Sequence, residues 1–136
     1  MEKSSQSTTA LFTEVGLLIK SRMQKAIPLP FAQCQTLGYV AEHAHPSMQD
    51  VARHLKIQAP SATFLVDELV RGGYLERRGN TKDRRRVELL LTAKGRRSFK
   101  LIKQKRENIL NTLFNALAEK DRKELNRILE KVIKSD

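Results

Sequence analysis

The sequence has 136 residues, the length of one domain, and 40% of them are hydrophobic, so it can bury a modest core. No run approaches the ~18 apolar residues of a membrane span, and the start, MEKSSQSTTA, is unlike a signal peptide, which predicts a cytoplasmic protein with no membrane partner. The 26 Lys and Arg residues outnumber the 15 Asp and Glu residues, and the net charge of +11 favours a polyanionic partner, first of all nucleic acid.

Two helices are predicted in the first third of the chain. Apolar residues recur at helical spacing over residues 8–25 and again over residues 31–43. Pro28 and Pro30 break the pattern between them, and the dipeptide His45-Pro46 ends the second helix.

A pair of short helices follows. Ser47 and Asp50 have the spacing of a capping box at the start of a helix over residues 48–55. Pro60 suits the first position of the next helix, over residues 60–71, and the two glycines after it end that helix. Two such short helices joined by a tight turn predict a helix-turn-helix.

A β-hairpin is predicted directly after this motif. Residues 74–78 have the pattern of a strand, GNTKDRRR is rich in turn residues, and residues 87–91 belong to a run that alternates with a period of two. A helix-turn-helix followed by a hairpin is a winged helix, so the predicted fold class is mainly α (α+β).

Two more helices are predicted at the C-terminal end. Thr92 is expected to cap a long helix from residue 93 to about residue 118, and Asp121 with Glu124 resembles a capping box that starts a last helix. The apolar stripes of the first and last helices are wider than a small winged helix can cover, which predicts a homodimer. Residues 1–136 are therefore interpreted as one domain, with 31–92 as a DNA-binding lobe and with 8–25 and 93–134 as dimerisation helices.

The positive charge is concentrated around the hairpin. Residues 71–100 contain eleven Lys and Arg and three Asp and Glu, a net charge of +8. A solvated basic surface would also account for charge spread along the chain, but concentration beside a helix-turn-helix favours a DNA footprint.

Candidate DNA-binding residues fall on two elements. The N-terminal turn of the second motif helix is expected to face base edges in the major groove, and its candidates are Gln58, Pro60, Ser61, Ala62, Thr63 and Phe64. The wing candidates are Lys82, Asp83, Arg84, Arg85 and Arg86. Arg84 and Arg85 are expected in the minor groove and Arg86 on a phosphate, whereas Asp83 is expected either to pair with an arginine or to serve as a turn residue.

The segment from Ser61 to Arg97 resembles the core of the MarR family of regulators. The features that carry the resemblance are Leu-Val-Asp-x-Leu, Gly-Tyr-Leu-x-Arg, Asp-Arg-Arg and Leu-Thr-x-x-Gly. The resemblance implies a homodimeric winged-helix transcription factor, most simply a repressor, acting on a palindromic site with half-sites ~10 base pairs apart. It also implies that Arg85 is the minor-groove arginine and Arg84 its neighbour. Phe64 stands where many members carry an arginine, and its ring is expected either to contact thymine methyl groups or to pack into the core.

The same resemblance implies a small-molecule effector in a cleft between the dimer helices and the DNA-binding lobe. The effector would act by favouring the spacing of the two lobes that does not fit DNA. For each apolar candidate, plain core packing is the competing interpretation. The candidate lining residues are Leu18, Arg22, Phe31, Leu37 and Tyr39.

The sequence gives little support for redox or metal chemistry. Cys34 is the single cysteine, which excludes an internal disulfide; it is interpreted as a buried small hydrophobic residue, with an oxidant-sensing thiol as the alternative. His43, His45 and His54 with Cys34 do not make a convincing zinc site, so neither a metal nor a cofactor is expected.

The pattern of the chain leaves three functional classes open. No nucleophile elbow, phosphate loop or paired-carboxylate arrangement is found, so an enzyme is not expected. The alternatives to a sequence-specific regulator are an architectural or RNA-binding winged-helix protein and a protein-interaction module.

Overall fold

The computed structural model describes residues 5–136, and residues 1–4 of the predicted domain lie outside the described residues. The described chain contains six helices and one two-stranded antiparallel sheet. Their order and bounds are α1 Thr8–Ala26, α2 Phe31–Glu42, α3 Met48–Leu55, α4 Ala59–Arg71, β1 Leu75–Gly79, β2 Val87–Leu91, α5 Ala93–Phe114 and α6 Glu119–Lys134. Within this described part, none of the helices is long and apolar enough to cross a membrane.

The predicted winged helix is confirmed. Helices α3 and α4 form the helix-turn-helix, and β1 and β2 pair in a register that joins Leu75 to Leu91 and Gly79 to Val87. Lys56, in a left-handed conformation, makes the tight turn after α3, and its N–H donates to the last carbonyls of that helix.

One hydrophobic core holds this lobe together. Its members come from α2, α3, α4 and both strands, and each is 5% exposed or less: Leu37, Val40, Val51, Val66, Leu69, Leu75 and Leu89. Phe99 and Ile102 of α5 pack against this core, so the long helix is fixed to the lobe by apolar contact.

The predicted helix starts at Ser47 and Thr92 are confirmed. The Ser47 hydroxyl accepts from the Asp50 N–H at 3.2 Å, and the Asp50 carboxylate accepts from the Ser47 N–H at 2.9 Å. The Thr92 hydroxyl accepts from the Gly95 N–H at 3.0 Å. Caps of this kind contribute ~1 kcal/mol each by pairing amides that the helix leaves without a partner.

The starts of α4 and β1 each differ by one residue from the predicted positions. Helix α4 begins at Ala59 with Gln58 as its N-cap, so Pro60 occupies the second helical position, where its missing N–H is equally harmless. Strand β1 begins at Leu75 because the Tyr74 N–H is bonded to the Leu69 carbonyl at 2.9 Å and closes the end of α4.

The C-terminal boundary was also wrong. Helix α5 ends at Phe114, where the Leu117 N–H donates back to the Phe114 carbonyl and turns the chain. Helix α6 then begins at Glu119 after Ala118, which offers no side-chain cap. Asp121 therefore lies inside the first turn, where its charge favours the positive end of the helix dipole without capping it.

Gly95 allows the first turn of α5 to approach the backbone of Tyr74 closely, and the sequence alone did not explain this glycine. It is buried in the first turn of α5, and a Cβ atom at this position would overlap the carbonyl oxygen of Tyr74. Any larger residue would separate the start of α5 from the residue that precedes β1.

Candidate nucleic-acid interface

The N-terminal half of α4 presents an exposed face at the surface of the lobe. Five of the six predicted contact residues on this element are exposed: Gln58, Pro60, Ser61, Thr63 and Phe64. The short turn after α3 and the core contacts of Val66 and Leu69 orient α4 so that this face lies towards solvent.

Ala62 was wrongly predicted as a contact residue. Its side chain is 1% exposed, because Ala62, Val66 and Leu69 follow the helical period and form the inward stripe of α4. A buried methyl group on this stripe supports the packing of the helix and cannot reach a ligand on the opposite face.

The polar groups of α4 are mostly engaged within the protein. The Thr63 hydroxyl donates to the Ala59 carbonyl at 3.0 Å. Glu68 accepts from Arg71 at 2.7 Å, and Asp67 forms an ion pair with Arg77 of β1. The Asp67–Arg77 pair connects α4 to the first strand of the wing.

The wing tip is organised around Asn80. Its side-chain oxygen accepts from the Lys82 and Asp83 N–H groups at 2.7 and 3.1 Å, and its own N–H donates to the Arg86 carbonyl at 3.0 Å. The side-chain amide donates to Glu88 of β2 at 2.7 Å. Sequence reasoning missed this residue, although its position after Gly79 in a turn-rich segment was the available signal.

Asp83 acts as a turn residue. Its carboxylate accepts from the Arg85 N–H at 3.0 Å, and its carbonyl accepts from the Arg86 N–H at 3.1 Å. The predicted pairing of Asp83 with an arginine side chain was wrong: the nearest donor is the backbone amide two residues on, which an Asp in a tight turn reaches directly.

Arg86 lies at the base of the wing. Its guanidinium Nη2 is 3.3 Å from Oδ2 of Asp50 in α3, so the cation that was expected on a phosphate has an internal acidic partner. The pKa of Asp50 lies below its ordinary value, chiefly because the Ser47 N–H donates to the carboxylate, and the charges of Arg86 and Arg53 lower it further. Within the described chain, Lys82, Arg84 and Arg85 are exposed and form no ion pair.

A second contact fixes the wing to the loop between α2 and α3. The Nδ1 atom of His45 is 3.0 Å from Oε2 of Glu88, and the Leu89 N–H donates to the Pro46 carbonyl at 2.9 Å. The wing is therefore held at its base from both sides, by Asp50 and by His45, while its tip projects.

A cleft of about 760 Å³ lies between α1, α2 and α5. Of the five residues predicted to line an effector cleft, only Phe31 lies there. Leu37 is instead a core residue, and Tyr39 stacks between His43 and His54 at ring distances of 4.0 and 4.4 Å. Leu18 and Arg22 were also wrong, because the cleft follows the face of α1 that carries Ile19, Lys20 and Met23.

Cys34 lines this cleft and is partly buried, less than its interpretation as a buried small hydrophobic residue predicted. Burial raises the pKa of the thiol above its ordinary value, and the positive charge of Arg106 offsets only part of the rise. The three histidines lie elsewhere, and residues 5–136 contain no group of three or more His, Cys, Asp or Glu side chains placed to hold a metal ion.

Large apolar side chains are exposed on the two ends of the chain. On α1 they are Leu11, Phe12, Val15, Leu17 and Leu18, and on α6 they are Ile128, Leu129, Val132 and Ile133. None of the residues of α1 or α6 is fully buried. A soluble monomer rarely exposes apolar stripes of this extent.

The chain is similar in sequence to known transcriptional regulators. A model described as MarR family matches residues 27–86. The HTH-type transcriptional regulator BilQ of Clostridium symbiosum is 26% identical over 136 residues, 99% of this chain and 94% of that protein. The HTH-type transcriptional repressor MdtR of Bacillus subtilis is 27% identical over 115 residues, 85% of this chain and 74% of that protein.

Two solved structures of MepR superpose on this chain over nearly its full length. The Staphylococcus aureus MepR–DNA complex superposes with a TM-score of 0.81 at 22% identity, over 97% of this chain and 100% of that chain. MepR bound to ethidium bromide superposes with a TM-score of 0.66 at 22% identity, over 96% of both chains. Over residues 27–86 the chain therefore matches the MarR family of transcriptional regulators, and its fold is a winged helix-turn-helix.

Proposed function

We propose that this chain is a sequence-specific regulator that binds double-stranded DNA, most simply a ligand-responsive repressor that acts as a homodimer on a palindromic operator. The observation that carries the proposal is the placement of an exposed α4 beside a wing tip whose cations Lys82, Arg84 and Arg85 project without acidic partners in the described chain. The curated relatives BilQ and MdtR, which match 99% and 85% of this chain, are an HTH-type transcriptional regulator and an HTH-type transcriptional repressor.

In this proposal the two elements bind different grooves. Helix α4 lies in the major groove with Gln58, Ser61 and Phe64 towards base edges, and the wing reaches the next minor groove. Arg84 and Arg85 are the minor-groove residues, since a narrow groove concentrates negative potential that attracts a slim guanidinium. Lys82 contacts the phosphate backbone.

The dimer follows from the exposed apolar stripes of α1 and α6. Residues 8–25 and 93–134 are proposed as dimerisation helices and residues 31–92 as the DNA-binding lobe. A two-fold axis through the dimer presents two copies of α4, and each reads one half-site, so the operator is a palindrome with half-sites ~10 base pairs apart.

The cleft between α1, α2 and α5 is the proposed effector site. Its apolar lining residues include Phe31, Phe99 and Ile102, and its charged lining residues are Lys20, Lys103 and Arg106, with no acid among the described lining residues. These cations favour an anionic effector with an apolar body, in contrast to the ethidium cation bound by MepR. Binding shifts the population of the dimer towards the lobe spacing that does not fit DNA.

The decisive experiment is selection of duplexes from a random library, followed by salt titration of binding to the selected and to random DNA. A regulator keeps a specificity ratio of roughly a thousandfold while both affinities fall with salt. Equal affinity for all duplexes at every salt concentration would instead favour an architectural protein, and preference for RNA would favour the RNA-binding alternative.

A matched pair of variants tests which surface binds. Arg84→Ala with Arg85→Ala removes two charges from the wing tip and is expected to lower operator affinity by about tenfold or more. Lys120→Ala with Lys134→Ala removes two charges from α6 and is expected to leave affinity nearly unchanged, because such distant charges are screened at physiological salt. Equal losses in the two variants would contradict the assigned interface.

A further inference from the structure

The exposed face of α4 has an unusual chemical character for a helix that reads DNA. Phe64 is 63% exposed, and no other large apolar residue of α4 is exposed. Phe12, Val132 and Ile133 lie on the outer helices, and Phe31 lies at the cleft between α1, α2 and α5. Neither the proposed dimer nor the proposed effector accounts for an exposed phenyl ring on α4.

Apart from Gln58 and Ser61, the polar side chains around Phe64 are engaged within the protein. Residues 59–70 of α4 include no Lys or Arg, and Arg71 is the first cation. The carboxylates of Asp67 and Glu68 are paired with arginines, and the Thr63 hydroxyl proton is directed at the Ala59 carbonyl. Direct recognition by a bidentate arginine, the commonest contact to guanine, is not available from this helix before Arg71.

Pro60 extends the apolar character of this face. Pro60 and Phe64 are four residues apart on α4, so they lie one turn above the other on one side of the helix, and both are exposed. A proline ring carries no N–H to donate. The pair forms an apolar strip that runs from the N-terminal turn towards the middle of the helix.

We infer that Phe64 is a specificity-determining residue that selects thymine by contact with its 5-methyl group. This inference rests on the proposed DNA-binding function. In the major groove thymine is the base that presents an apolar group, whereas guanine and adenine present acceptors that a phenyl ring would desolvate without pairing. Each half-site then contains one position at which thymine is preferred because of its methyl group.

The test uses the operator selected from random DNA and replaces each thymine with deoxyuridine, which removes the methyl group and keeps base pairing. A substitution in one half-site is expected to weaken binding by about fourfold, the effect of removing one buried methyl-sized group. Substitution in both half-sites removes two such groups and is expected to weaken binding by roughly 15-fold. Phe64→Ala is expected to bind the thymine and deoxyuridine duplexes equally, whereas Phe64→Leu retains part of the preference.

Arg84→Ala is the control for this measurement. It lowers affinity for both duplexes by the same factor, so the ratio between thymine and deoxyuridine stays at the wild-type value. Circular dichroism checks that each variant is folded, which the exposure of Phe64 leads us to expect.

Two outcomes overturn the inference, and they are distinguishable from failure of the proposed function. If the wild type selects an operator but tolerates deoxyuridine at every position, or if Phe64→Ala keeps the wild-type ratio, Phe64 does not read thymine although the protein is a specific regulator. If no operator is selected at all, the proposed function and the inference both fail.

Discussion

The carboxylate of Asp50 lies 3.3 Å from the guanidinium of Arg86, and this ion pair joins the first turn of α3 to the base of the wing. The same carboxylate accepts the Ser47 N–H at 2.9 Å and so completes the capping box of α3. One side chain therefore starts the helix-turn-helix and orients the hairpin beside it. The two DNA-binding elements are positioned relative to each other partly through this residue.

Asp50→Asn is expected to weaken operator binding by about threefold to tenfold. The amide keeps an oxygen that can accept the Ser47 N–H, but it loses the charge that holds Arg86, so the wing samples more orientations before it binds. Glu119→Gln, which removes the partner of Lys123 on α6, is the control and is expected to leave affinity unchanged. Equal effects of the two substitutions would contradict a positioning role for Asp50.

The low pKa of Asp50 also predicts a pH dependence of stability. A carboxyl group whose folded pKa lies below its unfolded value of about 3.9 stabilises the fold above that value and loses this contribution as pH falls through the folded pKa. The difference in free energy of unfolding between wild type and Asp50→Asn is therefore expected to be constant from pH 7 to about pH 5 and to shrink below pH 4. Denaturant titrations across this range measure it, and a difference that persists unchanged at pH 3 would disprove the linkage.

Gly95→Ala is expected to destabilise the fold by about 3 kcal/mol, because its Cβ overlaps the backbone carbonyl of Tyr74, which cannot move without shifting β1 or α5. Gly16→Ala is the matched control. It lies within α1 with nothing within 4 Å of its added Cβ, and a gain of about 0.5–1 kcal/mol is expected from helix propensity. Chemical denaturation compares the two, and similar effects would contradict the close approach at Gly95.

Val132→Asp is expected to convert the proposed dimer to a monomer, because it places a charge among the exposed apolar residues of α6. Val132 is 62% exposed on α6, and Phe64, which is 63% exposed on α4, provides a control of matched exposure. Phe64→Asp is expected to remain dimeric although it loses DNA binding. Sedimentation equilibrium reports both results, and a dimeric Val132→Asp variant would remove α6 from the proposed interface.

Cys34 is expected to be a slow nucleophile. Because burial raises the pKa of its thiol, little thiolate exists at pH 7, and alkylation by iodoacetamide should be slower than that of free cysteine and accelerate only above the ordinary thiol pKa of about 8.5. Cys34→Ser should retain operator binding. Rapid alkylation at pH 7, together with loss of DNA binding on oxidation, would favour the oxidant-sensing alternative.

Most of the features that depend on short-range patterns were predictable from the sequence, although the capping box expected at Asp121 does not form. The capping box at Ser47, the cap at Thr92 and the hairpin after α4 each rest on a few neighbouring residues whose chemistry suffices to specify local structure. The wing was predicted for the same reason, since its strand alternation and its turn residues lie within twenty positions.

The features that depend on packing between distant segments were not predictable. Ala62 and Phe64 are two residues apart, and their opposite burial follows from the rotation of α4 about its axis, which the core sets and not the local pattern. The Asp50–Arg86 pair and the Glu88–His45 pair each span more than thirty residues. Most of the residues predicted to line a cleft were wrong, because the lining depends on which face of α1 meets α2 and α5.

Phe99 and Ile102 pack against the core of the lobe and also line the cleft between α1, α2 and α5. A molecule seated in that cleft would press on the same two side chains whose other surface supports the core. A bound molecule would thus change the tilt of α5 relative to the lobe. The cleft and α4 would be coupled directly through the packing of these two side chains.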